Sequence, residues 1–598
     1  MNLDVLESLL GLETDGRYES ADEIIDRAAM AIASAESRYG ATSAATARVA
    51  GRFAELMRSN RFWPSGRILN NAGSKQAQLA SCFVISIEDS LVSVFDAVTL
   101  AAKCHSTGGG TGFDLSRIRE RGTPIRSTEG GCSAGPLPWL HLLNAETDAI
   151  MRGGKMRGAN LASLRIDHPD VIEFIRAKRK VGDLGNFNLS VTIPDEFMEA
   201  MATGETYHSV SRVGAGPSRP MDARHVWDEL CRQSWRTGDP GILWVDNINR
   251  VNPLAAVAGP IETTNPCGEQ TMYPYEASNL GSINLDAFVT PDGTFDMTGF
   301  EQTVAESTRF LDDAVDTSRY PDPRIDRMAN RYRRLGLGVM GWADALVHLG
   351  IAYDSAEALS FVERVGQALR TVSQSASRAL ARTRGPYPAW SSAISAEPVR
   401  NCAVTSIAPT GTISMIAGCS AGIEPRFAAM YVKDVLGDDG VTYVDEDLVR
   451  DVRRYGGVDR SQAIGMIERA SGLDSLPVPA PRRQRYRYAY DISPSWHVST
   501  LATWQAFVDN GVSKTVNLPG DFPVASVSDL LASSWSLGCK GISIYREGSR
   551  DRDLMTAVSF AKDRQRQTPT PLGDGSNFRQ SKEIADRFRS RAQENRVP

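Results

Sequence analysis

The chain has few thiol pairs, little net positive charge and no long apolar run, and each shortage removes a class of function. Its eight cysteines, at positions 82, 104, 132, 231, 267, 402, 419 and 539, are scattered over 598 residues, and none are spaced as C-x-x-C. That is no disulfide framework, and it reads as a cytosolic chain with reduced thiols. No Cys/His cluster has zinc spacing, and neither His-Glu-x-x-His nor a P-loop signature occurs, so no metal site is expected. No apolar run reaches the ~18 residues a membrane helix needs, which argues against a membrane protein. The first residues, Met1-Asn2-Leu3-Asp4, lack the basic stretch and apolar core of a signal peptide. A net charge of −6 argues against a general nucleic-acid binder, whereas a small anionic ligand needs only local donors.

What is present is ordinary globular composition, 42% hydrophobic and 23% charged. The length fits several domains or one large α/β barrel. Residues 1–60 form a helical N-terminal segment, with apolar side chains at helical spacing from Ile24 to Met57. Over residues 61–560, short apolar runs alternate with amphipathic stretches. The runs Leu161–Ile166, Phe187–Ile193, Ile242–Val245 and Val404–Ile407 predict strands. The stretches Leu91–Cys104, Pro169–Lys178, Val226–Arg236 and Arg334–Leu349 predict helices, with Ser90 as an N-cap. Such alternation predicts an α/β fold with a substantial parallel sheet. Residues 204–221 read as a loop, and about 433–493, with the basic run Arg482–Arg487, as an insertion. The polar tail 561–598 is expected to be weakly ordered.

Four short motifs carry chemistry. Asn265-Pro266-Cys267-Gly268-Glu269 places a thiol two residues from a carboxylate, although such a segment can also be a plain turn with a buried cysteine. Thr410-Gly411-Thr412 precedes an apolar stretch and can offer N–H groups and hydroxyls to phosphate, or be an ordinary strand-to-helix turn. The run Gly108-Gly109-Gly110-Thr111-Gly112 is weak alone, and Cys82 alone is equally a buried thiol in an apolar strand. Asp89, just before Ser90, is explained as well by helix capping.

Together these motifs resemble the ribonucleotide reductase family. Asn-x-Cys-x-Glu at 265–269 looks like its active-site motif, followed by Pro274-Tyr275-Glu276 and Asn279-Leu280-Gly281-Ser282-Ile283-Asn284-Leu285. Ala408-Pro409-Thr410-Gly411-Thr412-Ile413-Ser414 resembles the loop for the substrate's phosphates. Gly108–Phe113, Arg157-Gly158-Ala159-Asn160, Asn186-Phe187-Asn188 and Leu537-Gly538-Cys539-Lys540-Gly541-Ile542 match in the same order, across roughly residues 50–550. The glycine run, Asn-Phe-Asn and the late Cys-Lys-Gly-Ile resemble the adenosylcobalamin-dependent class most closely. The resemblance implies a ten-stranded α/β barrel with the radical cysteine on an internal finger loop, and adenosylcobalamin as the cofactor, bound without a histidine ligand.

The resemblance also implies roles. Cys267, as a thiyl radical, takes the ribose 3′-hydrogen. Glu269 accepts the 3′-hydroxyl proton, help worth about 10²–10⁴-fold. Asn265 binds the 2′-hydroxyl or orients Glu269, and Cys82, beside Ser81, protonates the leaving 2′-oxygen from the opposite face. Pro409, Thr410, Gly411, Thr412, Ile413 and Ser414 hold the phosphates, and Gly108–Gly112 form part of the active-site or cofactor wall. Asp89 and Arg119 are candidates for a deoxynucleotide effector site, and a homodimer is implied, although several relatives are monomers.

Two departures bear on the product. The family places a second redox cysteine eleven residues after the radical cysteine, and here that position is Ser278. The family also carries a late C-x-x-C that re-reduces the pair, and no cysteine follows Cys539. Three readings stay open: deoxynucleotide formation with another reductant such as formate, a redox-neutral radical reaction such as 2′-epimerisation or dehydration, and an engineered cysteine-to-serine, tail-truncated reductase. A catalytically dead nucleotide-binding regulator is a further alternative, opposed by the intact Asn265, Cys267, Glu269 and Cys82.

Overall fold

The structure, a computed structural model, describes all residues except 15–16, 126–129, 152–158, 181, 214–218, 434–440, 550–554, 559–577, 585 and 588–598. The chain begins with helices α1 (Leu3–Leu10), α2 (Ala21–Ala33) and α3 (Ser43–Arg58). Ser20 and Glu23 form a reciprocal capping box that starts α2. The apolar faces of α2 and α3 carry Ile24, Ala28, Ile32, Phe53 and Met57, all buried.

Strand β1 (Phe62–Pro64) and helix α4 (Gly66–Asn71) follow. The next units are β2 (Cys82–Ser86), α5 (Leu91–Ser106), β3 (Gly110–Asp114), α6 (Leu137–Met151), β4 (Asn160–Arg165), β5 (Phe187–Ile193) and β6 (Gly241–Trp244). Strands β2 to β6 pair in parallel with one another, each with the next. They are buried on both faces, which is why they read as continuous apolar runs rather than alternating ones. Ser90 caps α5 as expected, accepting from Ser93 N–H at 3.2 Å. A short hairpin of β7 (Thr263–Thr264) and β8 (Thr271–Met272) precedes β9 (Asn279–Asn284), helix α7 (Met297–Thr317), β10 (Leu335–Met340), α8 (Trp342–Leu349) and the long α9 (Ala356–Arg384).

Helix α10 (Gly411–Ala417) leads to an excursion made of β11 (Met430–Lys433), β12 (Val441–Val444), α11 (Glu446–Gly456) and α12 (Arg460–Arg469). The chain returns through α13 (Pro494–Gln505), β13 (Thr515–Leu518), β14 (Gly541–Arg546) and β15 (Met555–Ala557). The main sheet has seven strands in the order β13-β14-β6-β5-β4-β3-β2, and a three-stranded sheet runs β10-β9-β1. Isolated bridges join Phe83 of β2 to Ala277, Leu337 of β10 to Thr405, and Ile407 to Val512. These bridges link the two sheets around one interior. The result is a mixed α/β architecture of barrel type with a helical N-terminal region.

Several sequence expectations are corrected. Arg334–Leu349 is not one helix: Leu335–Met340 is a strand with six parallel pairs to β9, buried throughout, and Gly341 at φ 70° turns the chain into α8. Its apolar content fits either period, and only pairing with β9 decides. Val404–Ile407 forms isolated bridges rather than a regular strand, and the helix expected at Pro169–Lys178 shortens to Val171–Ile175. Residues 204–221 include a short hairpin of Tyr207–Ser209 with Arg219–Met221. The insertion has its own core of Leu448, Val449, Val452, Ala463, Ile467, Tyr486 and Tyr488. Its basic run is divided: Arg482 meets Asp451 at 2.8 Å and Arg483 meets Asp474 at 3.0 Å within the insertion, while Arg485 and Arg487 reach out to Val347 O and Asp354.

Of the tail, residues 578–584 and 586–587 are described and helical, and the rest lies outside the described residues. That piece is docked: Ser581 and Ile584 are buried, and the Ser581 hydroxyl donates to Ser499 O of α13 at 3.2 Å. Among the described residues, no helix is long and apolar enough to cross a membrane.

Candidate active site

The hairpin β7–β8 is a finger whose tip is Asn265–Gln270. The tip is closed by its own bonds: Asn265 N–H to Gln270 O at 3.1 Å, Gly268 N–H to Asn265 O at 3.1 Å, and Gln270 N–H to Asn265 Oδ1 at 2.9 Å. Neighbouring elements then fix it in place. Asn188 of β5 donates to Pro266 O at 3.1 Å, Gly511 N–H donates to Glu269 O at 2.8 Å, and Gln270 Nε2 donates to Ser406 Oγ at 2.8 Å. Lys540 holds the turn behind it through Asn510 O at 3.0 Å.

The glycine run explains how the finger comes so close. A side-chain carbon on Gly112 would lie 2.0 Å from Thr264 O. On Gly110 it would lie 3.0 Å from the Pro266 ring and 3.2 Å from Cys82 Sγ. These glycines therefore let strand β3 touch the finger backbone directly. Their side-chain space is filled by protein, so a cofactor could meet this run only through backbone groups.

Three of the expected residues converge with Cys82. Cys267 keeps accessible surface at the finger tip although many protein atoms surround it. Burial, then the charge of Glu269, then Cys82 push its thiol well above the usual range. Burial likewise raises Glu269 to about 7, opposed by the nearby Asn265 amide. That amide favours the carboxylate electrostatically but does not meet it in hydrogen-bond geometry, since Asn265 Nδ2 and Glu269 Oε2 are both enclosed without a partner. Burial and then Glu269 push the Cys82 thiol up to about 12, while Asn265 opposes them. An acid near 7, two thiols and an orphaned amide make an arrangement suited to moving hydrogen and protons on a polar ligand.

Ser278 stands directly against Cys82. Cys82 N–H donates to Ser278 Oγ at 3.0 Å, and Ser278 N–H donates back to Cys82 O at 2.9 Å. Ser81 N–H donates to Ser278 O at 2.9 Å, so Ser81 belongs to the same rung. Cys419 lies elsewhere, packed near Gly341 at the far end of β9.

The expected phosphate loop is the N-terminus of α10. Thr410 adopts a left-handed φ of 52°, strained for a β-branched residue, and its hydroxyl accepts Gly422 N–H at 2.8 Å. Pro409 and Gly411 are exposed there, while Ile413 and Ser414 are buried beneath. Asp89 and Arg119 are not brought to the finger. They form an ion pair at 2.7 Å at the start of α5, beyond the opposite end of β2 from Cys82. Arg157 and Gly158 lie outside the described residues.

The sequence reading missed the start of α4. A side-chain carbon on Gly66 would sit 3.9 Å from the Thr412 methyl, so Ser65 and Gly66 lie beside the expected phosphate loop. Ser65 Oγ is enclosed without a partner. Arg67 reaches the turn at Gly108. The turn-forming Pro64-Ser65-Gly66 was a usable signal, hidden because it falls at the edge of the helical segment.

Comparison with known proteins agrees with this arrangement. Residues 80–396 and 391–545 match the family described as ribonucleotide reductase, barrel domain. Residues 2–77 match ribonucleotide reductase, all-alpha domain. A vitamin B12-dependent ribonucleoside-diphosphate reductase of Mycobacterium tuberculosis is 41% identical over 545 residues, covering 90% of this chain and 76% of that protein. One of Thermoplasma acidophilum is 40% identical over 510 residues, covering 85% of this chain and 66% of its own, so this chain spans about two thirds of that relative's length. The class Id ribonucleotide reductase alpha subunit of Actinobacillus ureae shares the fold with a TM-score of 0.74 at 22% identity, covering 92% of this chain and 97% of that one. The chain belongs to the ribonucleotide reductase family, in its vitamin B12-dependent class.

Proposed function

We propose that the protein is an adenosylcobalamin-dependent radical enzyme acting on a ribonucleoside di- or triphosphate. The carrying observation is the pair of enclosed, unpartnered atoms Asn265 Nδ2 and Glu269 Oε2 in a group with Cys267 and Cys82. Buried polar atoms without partners are costly, and a ribose diol would satisfy both. Cys267 takes the 3′-hydrogen, and Glu269 accepts the 3′-hydroxyl proton. Asn265 hydrogen-bonds the ribose, and Cys82 donates a proton to the 2′-oxygen. Ser81 lines the rung behind Cys82, and Pro409 to Ser414 hold the phosphates at the α10 N-terminus. Adenosylcobalamin, when bound, supplies the carbon radical that oxidises Cys267. The accessible Cys267 thiol fits such an approach, and the backbone of Gly108–Gly112 is the proposed wall on that side.

Ser278 bears on the outcome. A serine bonded to Cys82 N–H cannot form a disulfide or share its electrons, so a dithiol pair is incomplete here. The favoured product is a 2′-deoxynucleotide made with a different reductant, formate among them. The same serine favours a second reading, a redox-neutral rearrangement, epimerisation or dehydration. Exposed Leu91, Val92 and Phe95 on α5, beside the Asp89–Arg119 pair, support a homodimer with a deoxynucleotide effector at that end. The free, scattered cysteines suit a cytoplasmic setting.

The test is anaerobic incubation with adenosylcobalamin and each nucleoside di- and triphosphate, with and without dithiothreitol or formate, followed by mass analysis. A product lighter by one oxygen supports reduction, and an isomer supports the redox-neutral reading. The absence of any Cys267-dependent exchange between the cofactor's 5′-hydrogens and solvent overturns both.

A further inference from the structure

We propose that Arg67 is the counter-charge of Cys82, readying that thiol to give its proton to the departing 2′-oxygen and stabilising the thiolate left behind. The inference rests on the role given to Cys82 above and adds a residue to it. Arg67 is the second residue of α4, whose first turn lies beside Thr412 of the phosphate loop. Its guanidinium packs on the turn at Gly108, where a side-chain carbon would meet Nη1, Cζ and Nη2 at 2.1, 2.4 and 2.6 Å. Two residues on, the same position on Gly110 lies 3.2 Å from Cys82 Sγ. The guanidinium and the thiol therefore pack against positions two residues apart, Gly108 in the turn and Gly110 at the start of β3.

The groups around Cys82 divide cleanly. Burial and Glu269 disfavour a Cys82 thiolate, while the Asn265 amide, the Gly110 N–H and Arg67 favour it. The Ser278 hydroxyl faces the Cys82 backbone. A second thiol at 278 could share the proton with Cys82, and a serine is far too weak an acid to do so. A nearby buried cation adds to the Asn265 amide and the Gly110 N–H in favouring the thiolate, and is the one full positive charge among them.

The step balances without an added reductant. The Cys82 S–H bond breaks and an O–H bond forms on the 2′-oxygen. The C2′–O bond breaks with its electron pair, and water leaves. The 3′-hydroxyl proton passes to Glu269, C3′ becomes a carbonyl carbon, and the unpaired electron moves from C3′ to C2′.

The experiment compares Arg67→Met and Arg67→Lys with the wild type. Without cofactor, and in a Cys267→Ser background, Cys82 alkylation by iodoacetamide at pH 9 is followed by peptide mass spectrometry. The rate falls about tenfold in R67M and recovers in R67K. With adenosylcobalamin and ribonucleotide, R67M retains 5′-hydrogen exchange, which reports Cys267, while turnover falls about a hundredfold. Unchanged Cys82 alkylation in R67M overturns the proposal, as does a loss confined to KM. If the wild type shows no exchange, the wider reading fails while the alkylation rates still judge Arg67.

Discussion

Two buried polar clusters in this chain differ in what they leave unpaired. Where the N-terminal helices meet α7, Glu36, Asp312 and Asp316 face Arg309, Arg333, Arg384 and Arg400. Arg333 meets Asp312 and Asp316 at 2.8 Å each, Arg384 meets Asp312 at 2.9 Å, and Arg309 meets Glu36 at 2.6 Å. Asp312, Asp313 and Asp316 stand close enough to hold a cation, but arginines supply the positive charge. Asp313 also meets Arg384, at 2.6 Å, while burial pushes its carboxyl up against the pull of that arginine. The finger cluster holds fewer charges and leaves Asn265 Nδ2, Glu269 Oε2 and Gln270 Oε1 without partners. The arginine cluster leaves one such atom, Asp313 Oδ2, so its charges are largely met within the protein, while the finger cluster leaves more of its hydrogen-bonding capacity unmet.

The comparison can be broken in four ways. The largest effect is expected from Cys267→Ser, which removes turnover and 5′-hydrogen exchange while changing chemical-denaturation stability by no more than about 0.5 kcal/mol, as for an accessible residue. A stability loss comparable to that of a core change would mean that the finger is structural. Next, Arg333→Met takes the closest arginine from Asp316 and one of three from Asp312, and destabilises by about 3 kcal/mol in urea unfolding, with the pH dependence of the remaining activity unchanged. A neutral result would remove the distinction between the clusters.

Glu269→Gln lowers turnover about 10²–10⁴-fold and flattens its rise with pH through about 7, because the base form exists above that value. The stability sign is opposite. A carboxyl whose folded pKa is raised binds more protons folded than unfolded, so wild-type stability falls as pH rises from about 4.5 to about 7. E269Q lacks that loss, a difference of about 3 kcal/mol at pH 8. The last variant, Ser278→Cys, is expected to change stability by about 1 kcal/mol. Under mild oxidation its peptide should link to that of Cys82 reversibly, and a failure to link would show that the rung between them does not place the two side chains for pairing.

Legibility varied with how local the cause was. Phe187–Ile193 and the Ser90 cap follow from burial pattern and side-chain chemistry within a few residues, and both were readable. Arg334–Leu349 was misread because a buried apolar stretch with glycines carries no period of its own, and its partner β9 lies fifty residues upstream. The tail was read as weakly ordered from its polar composition, yet Ser581 and Ile584 dock on α13, which composition cannot show.

The residue order by itself determined the family, the finger motif Asn265–Glu269, the opposing Cys82 and the substitution at Ser278, because these are matters of residue type and spacing. Only the tertiary structure decided that the glycine run serves the finger's close approach, that Asp89 and Arg119 stand apart from it, and that Arg67 and Cys82 both pack on the Gly108–Gly110 segment. The physical reason is that a thiol, a carboxylate or an arginine acquires its acidity from burial and neighbours, and those neighbours come from strands and helices far apart along the chain.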